Sequence, residues 1–363
     1  DVKQGAPLVL IPALPPASQT RVAANKSSTD GKPLPANLPH SQTTDTRDRR
    51  AISLFTLDGG SLELVGGRFH LPESNDPAWL LDVEDGDFTI LDCSLLGPRA
   101  PAQAGRGLIN WSGSAPGGTG RIIRSYVAGS GVLLNADFRD RSLLVHDSLL
   151  FSTGSIFDLD LGLCSASAHS TLDIRCSSLS AAKSLFLIRS TQAGGSGADP
   201  DSKPVTSLNL FVDQTVFLRG FSPDNDDKPD PVLISCSSDL LAARMIGWSG
   251  TFNGFSPALT RYLHDPTREA VTDKHGTASD FADMFPPPAR VRPLHGSEGV
   301  SLRVTPKDVT KTRPLHFRLD RTSRGRTWGP TGHSLGANIV HLESQLGKVG
   351  PPRSGGSGEK PDF

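Results

Sequence analysis

The sequence predicts an all-β fold, a single-stranded parallel β-helix (solenoid) of about seven coils with irregular termini, and three observations predict it. The first is composition. With 37 Gly, 29 Pro, 36% hydrophobic and 21% charged residues in a chain of 363, the sequence reads as short strands broken by turns, not as helices. The second is a repeat of the form apolar-x-apolar-x-x-small-x-apolar. Its copies are Leu62-Leu64-Gly67-Phe69, Phe88-Ile90-Cys93-Leu95, Gly120-Ile122-Ser125-Val127, Leu143-Val145-Ser148-Leu150, Leu172-Ile174-Ser177-Leu179, Leu210-Val212-Thr215-Phe217 and, the poorest, Leu241-Ala243-Ile246-Trp248. The third is a second apolar run between copies, as in Trp79-Leu80-Leu81-Val83, Gly107-Leu108-Ile109, Val132-Leu133-Leu134, Ile156-Phe157-Leu159, Leu185-Phe186-Leu187-Ile188 and Val232-Leu233-Ile234. Each coil therefore offers at least two strands. Their inward side chains stack from coil to coil, with a small residue where the chain turns a corner. A β-sandwich of hairpins would show similar strands, but with more regular two-residue turns and less similarity between copies.

Taken in order, residues 1–50 are rich in Pro, Ala, Ser, Thr and charge, with one apolar patch from Leu8 to Leu14, and read as a linker unable to bury a core. Residues 51–256 are the expected β-helix. Two insertions, Gln192 to Pro204 and Ser222 to Pro231, read as exposed loops. Residues 257–345 read as a C-terminal cap and basic segment. Tyr262 and a short helix from Asp280 to Phe285, entered through Ser279, are placed to cover the open end of the last coil together with Gly250, Asn253 and Phe255. From Pro286 to Thr327 there are ten Lys or Arg against three Asp or Glu. Residues 346–363, mostly Gly, Pro, Ser and charge, are expected to be disordered.

The formal net charge of -1 provides no overall attraction to nucleic acid or to an anionic membrane, so any polyanion must meet a local patch, for which Arg290 to Arg326 with Trp328 is the candidate. No apolar run approaches the ~20 residues of a membrane span, and no signal peptide opens the chain, which reads as soluble. It begins at Asp1 without Met, as a piece of a longer protein would, and its compartment stays open. Cys93, Cys164, Cys176 and Cys236 form no CxxC pair and read as reduced, buried small residues.

Gly332-His333-Ser334-Leu335-Gly336 matches the G-x-S-x-G nucleophile elbow, but an elbow needs a strand before it, a helix after it, and an acid and a His downstream; His341 is the only later His. The better candidates for chemistry are carboxylates. Asp158 and Asp160 lie two apart on one strand and share a face, with Asp137, Asp140, Arg139 and Arg141 one coil earlier. If Asp158 and Asp160 converge with Asp137 or Arg139, they provide an acid and a base for cutting a polysaccharide; solvated surface carboxylates are the plainer reading. The run Asp224-Asn225-Asp226-Asp227 has Ca²⁺-binding composition through Asp224, Asp226 and Asp227, but lacks the Gly turn and distant Glu of an EF-hand loop. Cys164, His169 and Cys176 match no zinc spacing. No Walker loop, kinase catalytic loop, HExxH or dinucleotide fingerprint is present, and no cofactor is expected.

Asp92-Cys-Ser-Leu-Leu-Gly97, His146-Asp-Ser-Leu-Leu150 and Arg175-Cys-Ser-Ser-Leu179 resemble the right-handed parallel β-helix repeats of pectate-lyase-like proteins, and Phe317-Arg-Leu319 with Leu335-Gly-Ala-Asn338 is similar to the closing segment of such regions. With Trp248-Ser-Gly250 and Asn253-Gly-Phe255, the whole is similar to β-helix regions found C-terminal to serine/threonine kinase domains in planctomycete bacteria. This resemblance implies right-handed coils, also favoured by crossover chirality, in a module of a larger protein. The sequence lacks the paired-Asp, Gly-His-Gly and Arg-x-Lys signatures of the polygalacturonase type, so no active site carries over. The expected function is a non-catalytic module that binds a glycan or a protein or spaces another domain; the alternative is a polysaccharide lyase or glycoside hydrolase with a divergent carboxylate site.

Overall fold

The computed structural model describes residues 52–71, 78–97, 107–113, 115–162, 169–190, 207–220, 231–237, 240, 245–266, 281, 285, 294, 299–303 and 312–348. The chain divides into two units, residues 1–50 and 51–363. The linker assigned to 1–50, the two insertion loops, Cys164, and the Asp224, Asp226 and Asp227 run lie outside the described residues, as do Leu241 and Ala243.

In chain order the strands are β1 (Ile52–Val65), β2 (Arg68–His70), β3 (Ala78–Leu91), β4 (Ser94–Leu96), β5 (Gly107–Ser112), β6 (Thr119–Ile123), β7 (Tyr126–Gly129), β8 (Val132–Asp137), β9 (Ser142–His146) and β10 (Leu149–Ser152). They continue as β11 (Phe157–Asp160), β12 (Ser170–Arg175), β13 (Ser178–Ala181), β14 (Ser184–Arg189), β15 (Leu208–Asp213), β16 (Val216–Arg219), β17 (Val232–Ser235), β18 (Ile246–Ser249), β19 (Gly254–Phe255) and β20 (Arg261–His264). A helix, α1 (Ile339–Lys348), follows.

The fold is all-β, solenoid-like and built from parallel pairs. One sheet of thirteen strands runs β18-β15-β12-β9-β6-β3-β5-β8-β11-β14-β17-β20 with β1 beside β3, a second of seven runs β19-β16-β13-β10-β7-β4-β2, and neither closes into a barrel. Strand β3 spans both halves of the larger sheet. Its first part pairs with β5 and its last part with β6, on either side of Asp85, whose positive φ of 49° bends the strand before Gly86. Because each strand pairs with its equivalent one repeat away, Ile90, Ile122, Val145, Ile174 and Val212 stack in register, all at or below 1% exposure. The second apolar runs do the same through β3, β5, β8, β11, β14 and β17.

The small residue of each repeat sits at the corner between the sheets. The residue before it has positive φ every time: Gly66, Asp92, Arg124, Asp147, Cys176, Gln214 and Phe252. The small polar side chains then form a ladder across repeats, with Cys93, Ser125 and Ser148 donating their backbone N–H to the hydroxyls of Ser125, Ser148 and Ser177 at 3.1–3.2 Å, and Thr215 donating to Asn253 Oδ1 at 3.1 Å. A corner that turns away from regular pairing would otherwise bury unsatisfied N–H groups.

Two expectations need correction. The copy that continues the register is Trp248-Gly250-Asn253-Phe255: Leu208 pairs with Ile246 and Leu210 with Trp248, and Asn253 holds the ladder position. The copy ending at Trp248 was out of register because Gly250 and Asn253 stand where apolar and hydroxyl residues stood before. The sheet also runs past the boundary expected at 256, through β20, which pairs with β17. Beyond it, Phe281 and Phe285 pack with Trp248, Phe255 and Tyr262; the helix expected from Asp280, with its entry at Ser279, lies outside the described residues.

Residues 312–348 pack against the smaller sheet. They form a strap along the outer face of the seven-stranded sheet, where Phe317, Leu335, Ala337, Ile339 and Leu342 bury Tyr126, Leu149, Phe151 and Val216 in a second apolar core. Four hydrogen bonds fix its course along the corner row: Gly336 N–H to Gln214 O, Ala337 N–H to Ser178 Oγ, Asn338 N–H to Asp147 Oδ1 and Gln345 Nε2 to Asp92 Oδ1. Helix α1 reaches into the segment expected to be disordered; Asn338 caps it, its Oδ1 accepting the His341 N–H at 3.2 Å, and Ile339, Leu342 and Leu346 form its apolar stripe.

Candidate functional site

The outer face of the larger sheet carries the candidate site. Strand alternation turns Leu81, Val83, Ile109, Leu134, Phe157 and Leu159 inward, which leaves the residues between them facing out. Parallel register then aligns Asp82, Asn110, Asn135 and Asp158 as neighbours on β3, β5, β8 and β11. At the strand spacing of ~4.8 Å their side chains meet. Asn110 Nδ2 donates to Asp82 Oδ1 at 2.8 Å, Asn135 Nδ2 donates to Asn110 Oδ1 at 2.8 Å, and Ser53 Oγ donates to Asp82 Oδ2 at 3.4 Å.

The structure brings together the carboxylates singled out from the sequence. Asp160 is the register partner of Asp137, and Asp158 lies two residues before it with its side chain 14% exposed. Each has a companion. Arg139 grips Asp137 with two hydrogen bonds at 2.8 and 2.6 Å, Arg189 donates through Nε to Asp158 Oδ1 at 2.8 Å, and Asp160 Oδ1 accepts the Gly162 N–H at 2.8 Å. Burial, only partly offset by Arg189, pushes the Asp158 carboxyl above the ordinary aspartate value, with the nearby Asp160 adding to the push.

The other residues near them are elsewhere. Asp140 accepts the backbone N–H of the exposed His169 at 2.7 Å. Arg141 points inward, 1% exposed, donating to the Trp111 and Ser112 carbonyls at 2.7 and 2.8 Å with its guanidinium 4.8 Å from the Trp111 ring. It is a structural staple. Among the described residues, no three His, Cys, Asp or Glu side chains group closely enough to hold a metal ion.

The G-x-S-x-G segment is preceded by a 3-10 turn, Pro330–Gly332, instead of a strand. A helix does follow, but Ser334 bonds the adjacent Leu335 carbonyl, and the His341 ring faces Asp92 at 3.4 Å and Gln345 at 3.0 Å. No nucleophile elbow is built. This segment instead walls a cavity of about 440 Å³ against the corner row, lined by His146, Asp147, Cys176, Arg318, Arg326 and His333 among others. The Cys176 thiol there is pushed up by burial and then by Asp147 and Asp213, the reverse of an activated nucleophile.

Asp82, Asn110 and Asn135 were missed from the sequence. Each directly follows an inward residue of the second apolar run, so the row was open to inspection once those runs were aligned. No protein-family model, curated protein or solved structure matches the chain.

Proposed function

We propose that this chain is a non-catalytic recognition module, a right-handed single-stranded β-helix of about seven coils within a larger protein, whose outer acidic and amide row binds a glycan. The parallel pairing of equivalent strands and the chirality of parallel crossovers support the coil geometry. One observation supports this function most: the in-register row Asp82–Asn110–Asn135–Asp158, its first three members joined by side-chain hydrogen bonds and Asp158 held by Arg189. Planar amides and carboxylates fixed in a row present repeated acceptors and donors to the hydroxyls of successive sugars, and their preorganisation lowers the ordering cost of binding. The tethering of Asp137 and Asp158 to arginines suits positioning better than proton transfer.

The second reading is a polysaccharide-cleaving site, favoured by one fact: Asp158, raised by burial, beside Asp160 and Asp137, is the kind of environment that keeps a carboxyl protonated as a general acid. A screen against neutral and acidic polysaccharides, with and without Ca²⁺, reading both binding and new reducing or unsaturated ends, separates the two. Recognition predicts binding without cleavage, weakened about tenfold, or ~1.4 kcal/mol, in Asn110→Ala with Asn135→Ala. Cleavage lost in Asp158→Ala would replace the module with an enzyme, and no binding at all would remove the glycan reading.

A further inference from the structure

The strap holds a second, chemically different feature. Leu302 and Leu319 form an antiparallel bridge, sealed by hydrogen bonds from Arg303 N–H to Arg318 O at 2.9 Å and from Asp320 N–H to Ser301 O at 2.8 Å. Leu319 is buried, so alternation sends the flanking Arg303 and Arg318 to the opposite, exposed face, directly across from one another. Like charges in that relation repel.

The chain then turns back. Asp320 Oδ1 accepts both the N–H and the hydroxyl of Thr322, Ser323 Oγ accepts the Ser301 N–H at 3.2 Å, and a 3-10 turn over Arg324–Arg326 returns the chain to the bridge. This places Arg321 and Arg326 beside the first two arginines, around a cavity of about 300 Å³ lined by Arg303, Arg318, Leu319, Arg321 and Arg326. Under the turn lies Gly325, where a Cβ would come within 2.4 Å of Val300 and 3.0 Å of Leu319. Close packing there fixes the turn.

Among the described residues, none of these four guanidinium groups has a carboxylate at ion-pair distance. The nearby Asp320 is engaged by Thr322, and its carboxyl is held low first by those hydrogen bonds and then by Arg326 and Arg303. Four positive charges thus converge against one negative charge. Guanidinium forks match the oxygens of a tetrahedral oxyanion, and an anion in the cavity relieves the repulsion across the bridge.

We propose that Arg303, Arg318, Arg321 and Arg326 form a receptor for a tetrahedral oxyanion, phosphate or sulfate, free or as the terminal ester of a larger molecule. The larger molecule has a place to go, because the adjoining 440 Å³ cavity shares Arg318, Leu319 and Arg326 and adds His146 and His333. The site lies on the strap and does not depend on the glycan reading of the sheet face.

Calorimetric titration of the chain at constant ionic strength, with inorganic phosphate, inorganic sulfate, phenyl phosphate and phenyl sulfate, tests the proposal, with chloride as the blank. Saturable binding of one oxyanion per chain is expected, weakened at least tenfold in Arg318→Gln with Arg321→Gln. Both side chains are exposed, so this variant retains the fold. Arg324→Gln is the control: Arg324 sits on the same turn but stacks on Trp328 at 5.3 Å instead of lining the cavity, and its loss should leave binding unchanged. Tighter binding of the phenyl esters, reversed by His333→Ala, would assign the site to an ester-bearing molecule; equal binding would assign it to the free ion. A response equal to chloride, or an equal loss in Arg324→Gln, would mean diffuse charge and overturn the proposal.

Discussion

Asp92 and Asp158 respond to folding in opposite directions. Arg124 holds Asp92 through hydrogen bonds at 2.8 and 2.7 Å, with His341 adding a further contact, and together they keep its carboxyl below the ordinary aspartate value against a modest desolvation cost. A lowered value means that the folded state binds the proton less tightly than the unfolded chain does. Its stabilisation is present above the unfolded pKa and fades as pH falls through the lowered one. Asp158 has the opposite sign: its value is raised by burial, so its contribution is fullest at low pH and is lost as pH rises through the raised value. Between about pH 3 and about pH 7 the stability of Asp158→Asn relative to the parent should therefore climb, and that of Asp92→Asn should drop. Urea denaturation at the two ends of that range measures both; parallel trends would refute the assignment. From sequence, the period of two was enough to put Asp158 and Asp160 on one face. The pairing of Asp137 with Asp160, and of Asp158 with Arg189, depends on register between repeats, and loops of unequal length hide that register.

At the scale of elements, the corner is the unit that repeats most faithfully, and it was only half legible. The small residue could be read from Cys93, Ser125, Ser148, Ser177 and Thr215. The left-handed residue before it could not, because Arg124, Cys176, Gln214 and Phe252 are not residues that announce a positive φ. What holds them there is the ladder. Ser148 is fully buried; its Oγ accepts the Ser125 N–H at 3.1 Å and donates to the His146 carbonyl at 2.9 Å. Ser148→Ala removes the acceptor and strands a buried N–H, which should cost about 1–3 kcal/mol in denaturant unfolding. Ser148→Thr retains the hydroxyl, as Thr215 does in its own repeat, and should recover most of that loss. If alanine and threonine behaved alike, the ladder would contribute packing and not hydrogen bonding. The same logic explains the misread last repeat. Gly250 is required where a Cβ would lie 1.7 Å from the Val212 carbonyl oxygen, so steric need displaced the apolar signal.

At the scale of the whole molecule, a solenoid made only of neighbour-to-neighbour contacts comes apart repeat by repeat, since each repeat touches little else. The strap changes that connectivity. It links the corners at Gln214, Asp147 and Asp92, which are far apart in sequence, and seals the outer face of the seven-stranded sheet through Phe317, Leu335 and Leu342. Its Leu and Phe positions were visible in the sequence. Its docking was not, since β7, β10 and β13 are buried on both faces, and continuous apolar runs do not say what lies against the outer one. Leu342 is fully buried at that seam. Leu342→Asp would place a carboxylate against Tyr126, Leu149 and their neighbours, and the strap should detach sooner than the inner stacks of β9, β12 and β15 dissolve. Hydrogen exchange followed by mass spectrometry should then show faster exchange over 312–348 and the outer row β4, β7 and β10, with β9, β12 and β15 still protected. Uniform loss of protection across both sheets would instead make the strap part of one cooperative unit, which the inner hydrophobic stack could not sustain without it.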